Sequence, residues 1–186
     1  MPITLEFTIE PEGTAKQVRI DDLVIAGWTG RNVDALEKHI VELEELGVQG
    51  MLIGVGSDHT DREVETYSVP VSKQMCLKPV SRSVWRYSDV ADHFDDILLR
   101  GWATENGEKN LYQDGGVTAM RPPEELIGLY LPGETTLPSG MAMYCGTLAA
   151  IGGIRPAERF DVEIEDPKLG RKISYGYNVN TLPVVT

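Results

Sequence analysis

The chain has 186 residues, 41% of them hydrophobic and 25% charged, proportions that suit one globular domain with a sizeable core. Its 29 acids against 17 bases give a formal charge of −12, which argues against nucleic acid or an anionic membrane as partner, since both demand a basic face. A small anionic substrate is not excluded, because it needs only local Arg and Lys or a divalent cation.

The first residues show neither a basic segment nor the apolar core of a signal peptide, and no run approaches the length of a membrane span. Cys76 and Cys145 are too few for a disulfide framework, so a reducing cytoplasm is the expected setting. Ile3, Leu5, Phe7 and Ile9 alternate with polar residues and predict a half-buried strand. Pro11-Glu12-Gly13 reads as a turn, with Val18–Ala26 as the return strand. Gly27-Trp28-Thr29-Gly30 closes that strand. Asn32 is placed to cap a helix that Gly47 ends, and Val33, Leu36, Ile40, Leu43 and Leu46 recur along it at helical spacing.

Met51, Leu52, Ile53 and Val55 form the apolar end of a buried strand, which opens through Gly54 and Gly56 into Asp58, His59, Asp61, Arg62 and Glu63. A strand that stops at such a loop presents ligands for a metal or an anionic substrate. The same residues also suit a solvated acidic turn with internal ion pairs. Beyond Lys73 the sequence reads as short strands and turns. Ser88–Asp95 predicts a brief helix, and Ile97–Thr104 a strand entering a hairpin turn at Asn106-Gly107. Pro122–Ile127 is a short helix with proline in its first turn. Met141–Cys145 is an apolar strand in which Cys145 serves as a buried hydrophobe. Phe160, Val162 and Ile164 alternate on another strand, and a turn at Asp166–Gly170 leads into Ile173–Val179. Few helices and no alternation of strand with helix predict a strand-dominated α+β domain.

Several residues suit chemistry on their own account. Asp58 is the best metal-ligand candidate, since carboxylate oxygens suit Mg²⁺, Mn²⁺ or Ca²⁺. His59 is a second candidate ligand, or a hydrogen-bonded structural residue. Arg62 and Lys73 are natural clamps for an anion. Arg62 has an equally simple role as a salt-bridge partner of Asp61, Glu63 or Glu65, whereas the segment around Lys73 offers fewer local acids. His39 and Glu42 fall about 60° apart on a helix and so share a face, which suits a carboxylate-oriented general base or an ordinary polar pair. Gly146-Thr147 follows an apolar strand and either meets a substrate oxygen or ends the strand.

These blocks also resemble a family. Asp58-x-Thr60-x-Arg62-Glu63 is similar to the N-D-x-[ST]-A-R-D segment of the fumarylacetoacetate hydrolase superfamily. Lys73 stands where that family has its G-K-S-F lysine, and Asn106-Gly107-Glu108 with Gln113-Asp114 resembles its hairpin. The stretch from Gly140 to Gly146-Thr147 resembles its p-G-D-v-i…t-G-T segment, and Gly30-Arg31-Asn32 with His39-x-x-Glu42 the lid helix of its acylpyruvase-like members. The blocks keep family order over Gly27–Asp161. The interval from Asn32 to His39 is longer here. A segment that carries an E-x-E pair of metal ligands in the family is missing between Gly50 and Met51.

The resemblance implies a single domain over residues 1–186 with the family's mixed β-roll, and a strand pair and lid-like helix within residues 1–47. It implies a homodimeric enzyme dependent on a divalent cation, Mg²⁺ first. The substrate would be a small oxo- or dioxo-carboxylic acid, processed by C–C hydrolysis, decarboxylation, hydration or isomerisation through an enolate. Asp58 would hold the metal, Arg62, Lys73 and Thr147 would position the anion, and His39 with Glu42 would activate water, Lys73 serving catalysis as well. The missing carboxylate pair motivates a second expectation, a non-catalytic small-molecule-binding or structural domain on the same fold. A third, a metal-free hydrolase, would use Cys76 or Cys145.

Overall fold

A computed structural model describes residues 2–25 and 51–181. Ten strands and two short α-helices make up its regular structure, joined by 3-10 turns, and the architecture is the expected strand-dominated α+β class. The first strand, β1 (Ile3–Ile9), turns at residues 10–13 into β2 (Thr14–Ile20), pairing Ile3 with Ile20 and Ile9 with Thr14. Alternation places Phe7, Ile9, Val18 and Ile20 on one face, and all four are buried.

The predicted single strand Val18–Ala26 is corrected. β2 ends at Ile20, and a separate strand, β3 (Asp22–Ile25), pairs in parallel with β8 (Met141–Tyr144). Asp21 and Asp22 are poor strand residues, and the Asp21 amide leaves the first ladder to bond Gly140 O at 2.7 Å. The chain thereby changes partner and brings the 141–144 stretch against the N-terminal hairpin.

The apolar stretch at 51–55 yields only a two-residue strand, β4 (Leu52–Ile53), antiparallel to β5 (Ser83–Arg86). β5 also runs parallel to β1, which completes a sheet of order β2-β1-β5-β4. A second, fully antiparallel sheet has the order β10-β9-β6-β7, built from β6 (Leu98–Glu105), β7 (Glu108–Gly116), β9 (Arg159–Asp166) and β10 (Arg171–Asn178). The Asn106-Gly107 turn joins β6 to β7 as expected, with both residues at positive φ, 51° and 79°.

α1 (Val69–Met75) carries Lys73 in its last turn, a helix that the sequence reading did not contain. Its apolar residues lack helical spacing on one face: Val69, Val71 and Met75 are all exposed. Ser88–Asp95 is two 3-10 segments, Tyr87–Asp89 and Ala91–Asp96, in place of one helix. α2 (Pro123–Tyr130) starts at proline as predicted and buries Leu126 and Ile127 against Met143 and Cys145. The main core joins the two large sheets: Trp85 from the first packs with Ile97, Ile164 and Ile173 around the second. The lid-like helix, with the junction at Gly50, lies outside the described residues. No helix among the described residues is long and apolar enough to cross a membrane.

Candidate functional site

The loop that leaves β4 folds over one face of the second sheet, and between them lies a cavity of about 440 Å³. Its floor is aromatic and aliphatic: Tyr112 from β7, Phe160 and Val162 from β9, and Leu148. Alternation along β9 puts Phe160 and Val162 on the same side of the sheet. Volume and lining are those of a small-molecule pocket, an apolar base with a few converging polar groups.

Asp58, Arg62, Lys73 and Thr147, four of the six expected site residues, all line this cavity. They come from the loop after β4, from α1 and from the segment after β8, so only tertiary folding assembles them. His39 and Glu42 lie outside the described residues.

Asp58 is engaged by two ammonium groups. Its Oδ2 accepts a hydrogen bond from Lys73 Nζ, fifteen positions away, and its Oδ1 lies 3.1 Å from Lys78 Nζ. The latter contact is ionic, because Lys78 directs hydrogens to the carbonyls of His59, at 2.7 Å, and Lys73. The absence of acids close to Lys73 in sequence therefore concealed a partner supplied by the fold.

Arg62 shows both of its expected characters. Nη1 donates to Thr60 Oγ1 at 2.6 Å and lies 3.3 Å from Glu65 Oε2, the salt bridge foreseen as its simpler role. Its guanidinium also stands 5.5 Å above the Phe160 ring and lines the cavity. Thr60 passes its own hydrogen to Glu65 Oε2 at 2.6 Å. Asp61 faces away from this network and accepts from the amides of Glu63 and Val64, at 3.0 and 2.9 Å, stabilising the turn at Val64–Thr66.

Thr147 Oγ1 accepts from Gln113 Nε2 at 2.7 Å, and the same amide reaches Leu148 O. Gln113 was read only as part of a hairpin, yet it lines the cavity. The pocket-side pairing of a polar residue on β7 with the segment after β8 leaves no local trace in sequence. His59 Nδ1 stands 3.0 Å from Tyr177 Oη, and its ring meets Phe160 and Tyr177 edge-on. Burial first, then the positive charges of Arg62 and Lys78, lowers this imidazole to about 4.

Three cations, Arg62, Lys73 and Lys78, thus face two carboxylates, Asp58 and Glu65. In a chain of formal charge −12 the cavity lining balances Arg62 and Lys73 against Asp58 and Glu65, and Lys78 beside Asp58 adds a positive charge. Such a donor set receives an anion readily. Among the described residues it does not by itself fit a divalent cation: Asp58 Oδ2 and Glu65 Oε2 are held by Lys73 and Arg62, and Asp58 Oδ1, which has no hydrogen-bond donor, faces the Lys78 ammonium at 3.1 Å. No three His, Cys, Asp or Glu side chains converge among the described residues. Cys145 packs against the α2 cluster, and burial pushes its thiol up to about 12; burial raises Cys76 as well, which disfavours a thiolate nucleophile at either position.

Comparison with known proteins gives one family. Residues 26–51 and 49–177 match the family described as "Protein of unknown function (DUF2848)". The two matched stretches meet at the junction near Gly50 where the superfamily resemblance is interrupted. No curated protein matches the sequence. A solved structure described as "Crystal structures of Cg1458" is similar over 92% of this chain and 74% of its own, at 13% identity and a TM-score of 0.44.

Proposed function

This chain belongs to the DUF2848 family, and we propose that its cavity is the active site of an enzyme acting on a small oxo- or dioxo-carboxylic acid. One observation carries the reading: Asp58, Arg62, Lys73 and Thr147, residues suited to anion and carboxylate chemistry, line one cavity. Lys73 and Arg62 take the substrate carboxylate, Arg62 with Nε and Nη groups in a planar fork and Lys73 as a compact charge. Asp58 holds Lys73 in place through an ion pair made before any ligand arrives, so little reorganisation is needed at binding. Thr147, braced by Gln113, contacts the other end of the ligand.

The reaction proposed is of the fumarylacetoacetate hydrolase type, on that superfamily's mixed β-roll and as a homodimer. An oxo oxygen that gathers negative charge as a neighbouring C–C bond breaks or a proton leaves is stabilised by fixed positive groups, and Lys73 stands where it can do so. His39 and Glu42 complete this proposal as the pair that activates water. No step is assigned to a metal, because the described carboxylates do not fit one.

The test is turnover of a 2,4-dioxo acid, followed by loss of its near-ultraviolet absorbance, with and without added Mg²⁺. Turnover that falls at least about tenfold in Lys73→Met supports the reading, as expected for loss of a charged contact. Binding of the acid without turnover favours the second reading, a non-catalytic binding domain, motivated by the carboxylate pair missing between Gly50 and Met51. Neither binding nor turnover would sink the proposal.

A further inference from the structure

Behind the cavity wall, Tyr177 Oη joins two polar groups. It donates to Ser57 Oγ at 2.7 Å. A phenol has one hydrogen, so in this arrangement the 3.0 Å contact between Tyr177 Oη and His59 Nδ1 takes the tautomer with its hydrogen on Nδ1. The His59 ring, edge-on to Phe160 at 5.3 Å and to Tyr177 at 5.6 Å, is hemmed in by aromatic neighbours. Ser57 is itself anchored, its amide donating to Pro79 O at 2.9 Å, and its side chain lines the cavity next to Asp58. With a lone pair of Oγ committed to Tyr177, the hydroxyl hydrogen of Ser57 is left to point at whatever occupies the cavity.

On the opposite wall Gln113 Nε2 donates to Thr147 Oγ1 at 2.7 Å, and that hydroxyl reaches Leu148 O at 3.5 Å. Around the cavity, Asp58 pairs with Lys73 and Lys78, its Oδ1 keeping no hydrogen-bond donor, and Glu65 accepts from Thr60 and Arg62. The Ser57 hydroxyl is thus a neutral donor beside the charged groups of the cavity, and a ligand oxygen answers it as acceptor.

We propose that Ser57 is a specificity-determining residue: its hydroxyl, aimed by the Tyr177–His59 pair, donates to the oxo oxygen of the ligand and so selects oxo acids over carboxylic acids lacking that oxygen. The inference rests on the reading of the cavity as a site for small oxo acids, and adds to it the group that recognises the oxo function. Tyr177 and His59 are positioning residues in this arrangement. Burial keeps both in the required state around neutral pH, since it lifts the Tyr177 hydroxyl to about 12 and holds the imidazole neutral. A methylene at the position of the oxo group would leave the Ser57 hydroxyl without an acceptor.

Calorimetric titration of the full chain with 2-oxopentanoate and pentanoate, which differ only at C2, tests this. The wild type is expected to bind the oxo acid about 3- to 10-fold more tightly than pentanoate, the range for one neutral hydrogen bond. Ser57→Ala should abolish the preference while pentanoate binds at least as tightly as before, and Tyr177→Phe should narrow the gap by freeing the hydroxyl to turn. Retained pentanoate binding is the internal control for folding. Equal loss of both ligands in Ser57→Ala, or no loss of the preference, overturns the assignment. A wild type that binds the oxo acid and pentanoate alike overturns it too, and spares the small-acid reading. A wild type that binds neither refutes that reading, and this inference with it.

Discussion

Gly56 shows how one residue sets the mouth of the cavity. The loop passes so close to the 79–80 stretch, with which it forms a bridge at Val80, that a Cβ at Gly56 would lie 2.8 Å from Pro79 O and 2.9 Å from Tyr144 Cε1. The backbone oxygen cannot swing aside as a side chain can. Gly56→Ala should therefore push the loop off its bridge and lower stability by about 1–3 kcal/mol, measured by urea denaturation. The displaced amide is that of Ser57, bonded to Pro79 O, so the variant should also weaken oxo-acid binding. Lys78 illustrates the opposite case, a residue with no motif around it. Its role comes from three oxygens, those of Asp58, His59 and Lys73, which only the folded loop and α1 bring to one ammonium group.

Among the elements, the β6–β7 hairpin was the most legible, because Asn-Gly encodes its own turn geometry. Gly107 has φ 79° and open space around its Cα, so the cost of a side chain there is backbone strain alone. Gly107→Ala should destabilise by about 1 kcal/mol and Gly107→Asn by less, since Asn tolerates the left-handed region; thermal melts of the two variants provide the comparison. Other elements were misread for physical reasons. Val18–Ala26 is apolar enough for one strand, but its two central acids mark a change of sheet. α1 went unseen because its apolar residues, Val69, Val71 and Met75, do not mark out a buried face that periodicity would reveal.

At the scale of the molecule, two histidines, His93 buried and His59 half-buried, oppose each other in pH dependence. His93 lies between Asp92 and Asp166, with Nε2 at 3.1 Å from Asp166 Oδ1; its bond to Asp92, with that to Asp166, raises it above the ordinary 6.5 against the effect of burial. Its contribution is fully present below pH 6.5 and is lost as pH rises through the higher folded value. His59 is shifted the other way, to about 4, so the unfolded chain takes up a proton that the folded one refuses, and stability falls as pH drops from 6.5 toward 4. Asp166 adds to the acid side. Burial works against its charge, but the Leu169 amide, His93 and Arg171 outweigh that and hold it below the usual carboxylate range. Denaturation midpoints taken across pH should decline on the acid side through His59, and His59→Gln should flatten that limb while leaving the alkaline limb, set by His93, in place.

The sequence by itself determined the class of the fold, the strands with clean alternation, the hairpin turn, and the residue types suited to an anion site, because alternation, turn chemistry and charge are local properties. Asp58, Arg62, Lys73 and Thr147 were legible as candidates for the same reason. That they share one cavity, that Lys73 is paired with Asp58, and that Gln113, Lys78 and Ser57 belong beside them was decided by tertiary structure alone. Those contacts join positions as far apart as Ser57 and Tyr177, 120 residues along the chain, and no local preference of a residue encodes the identity of so distant a partner.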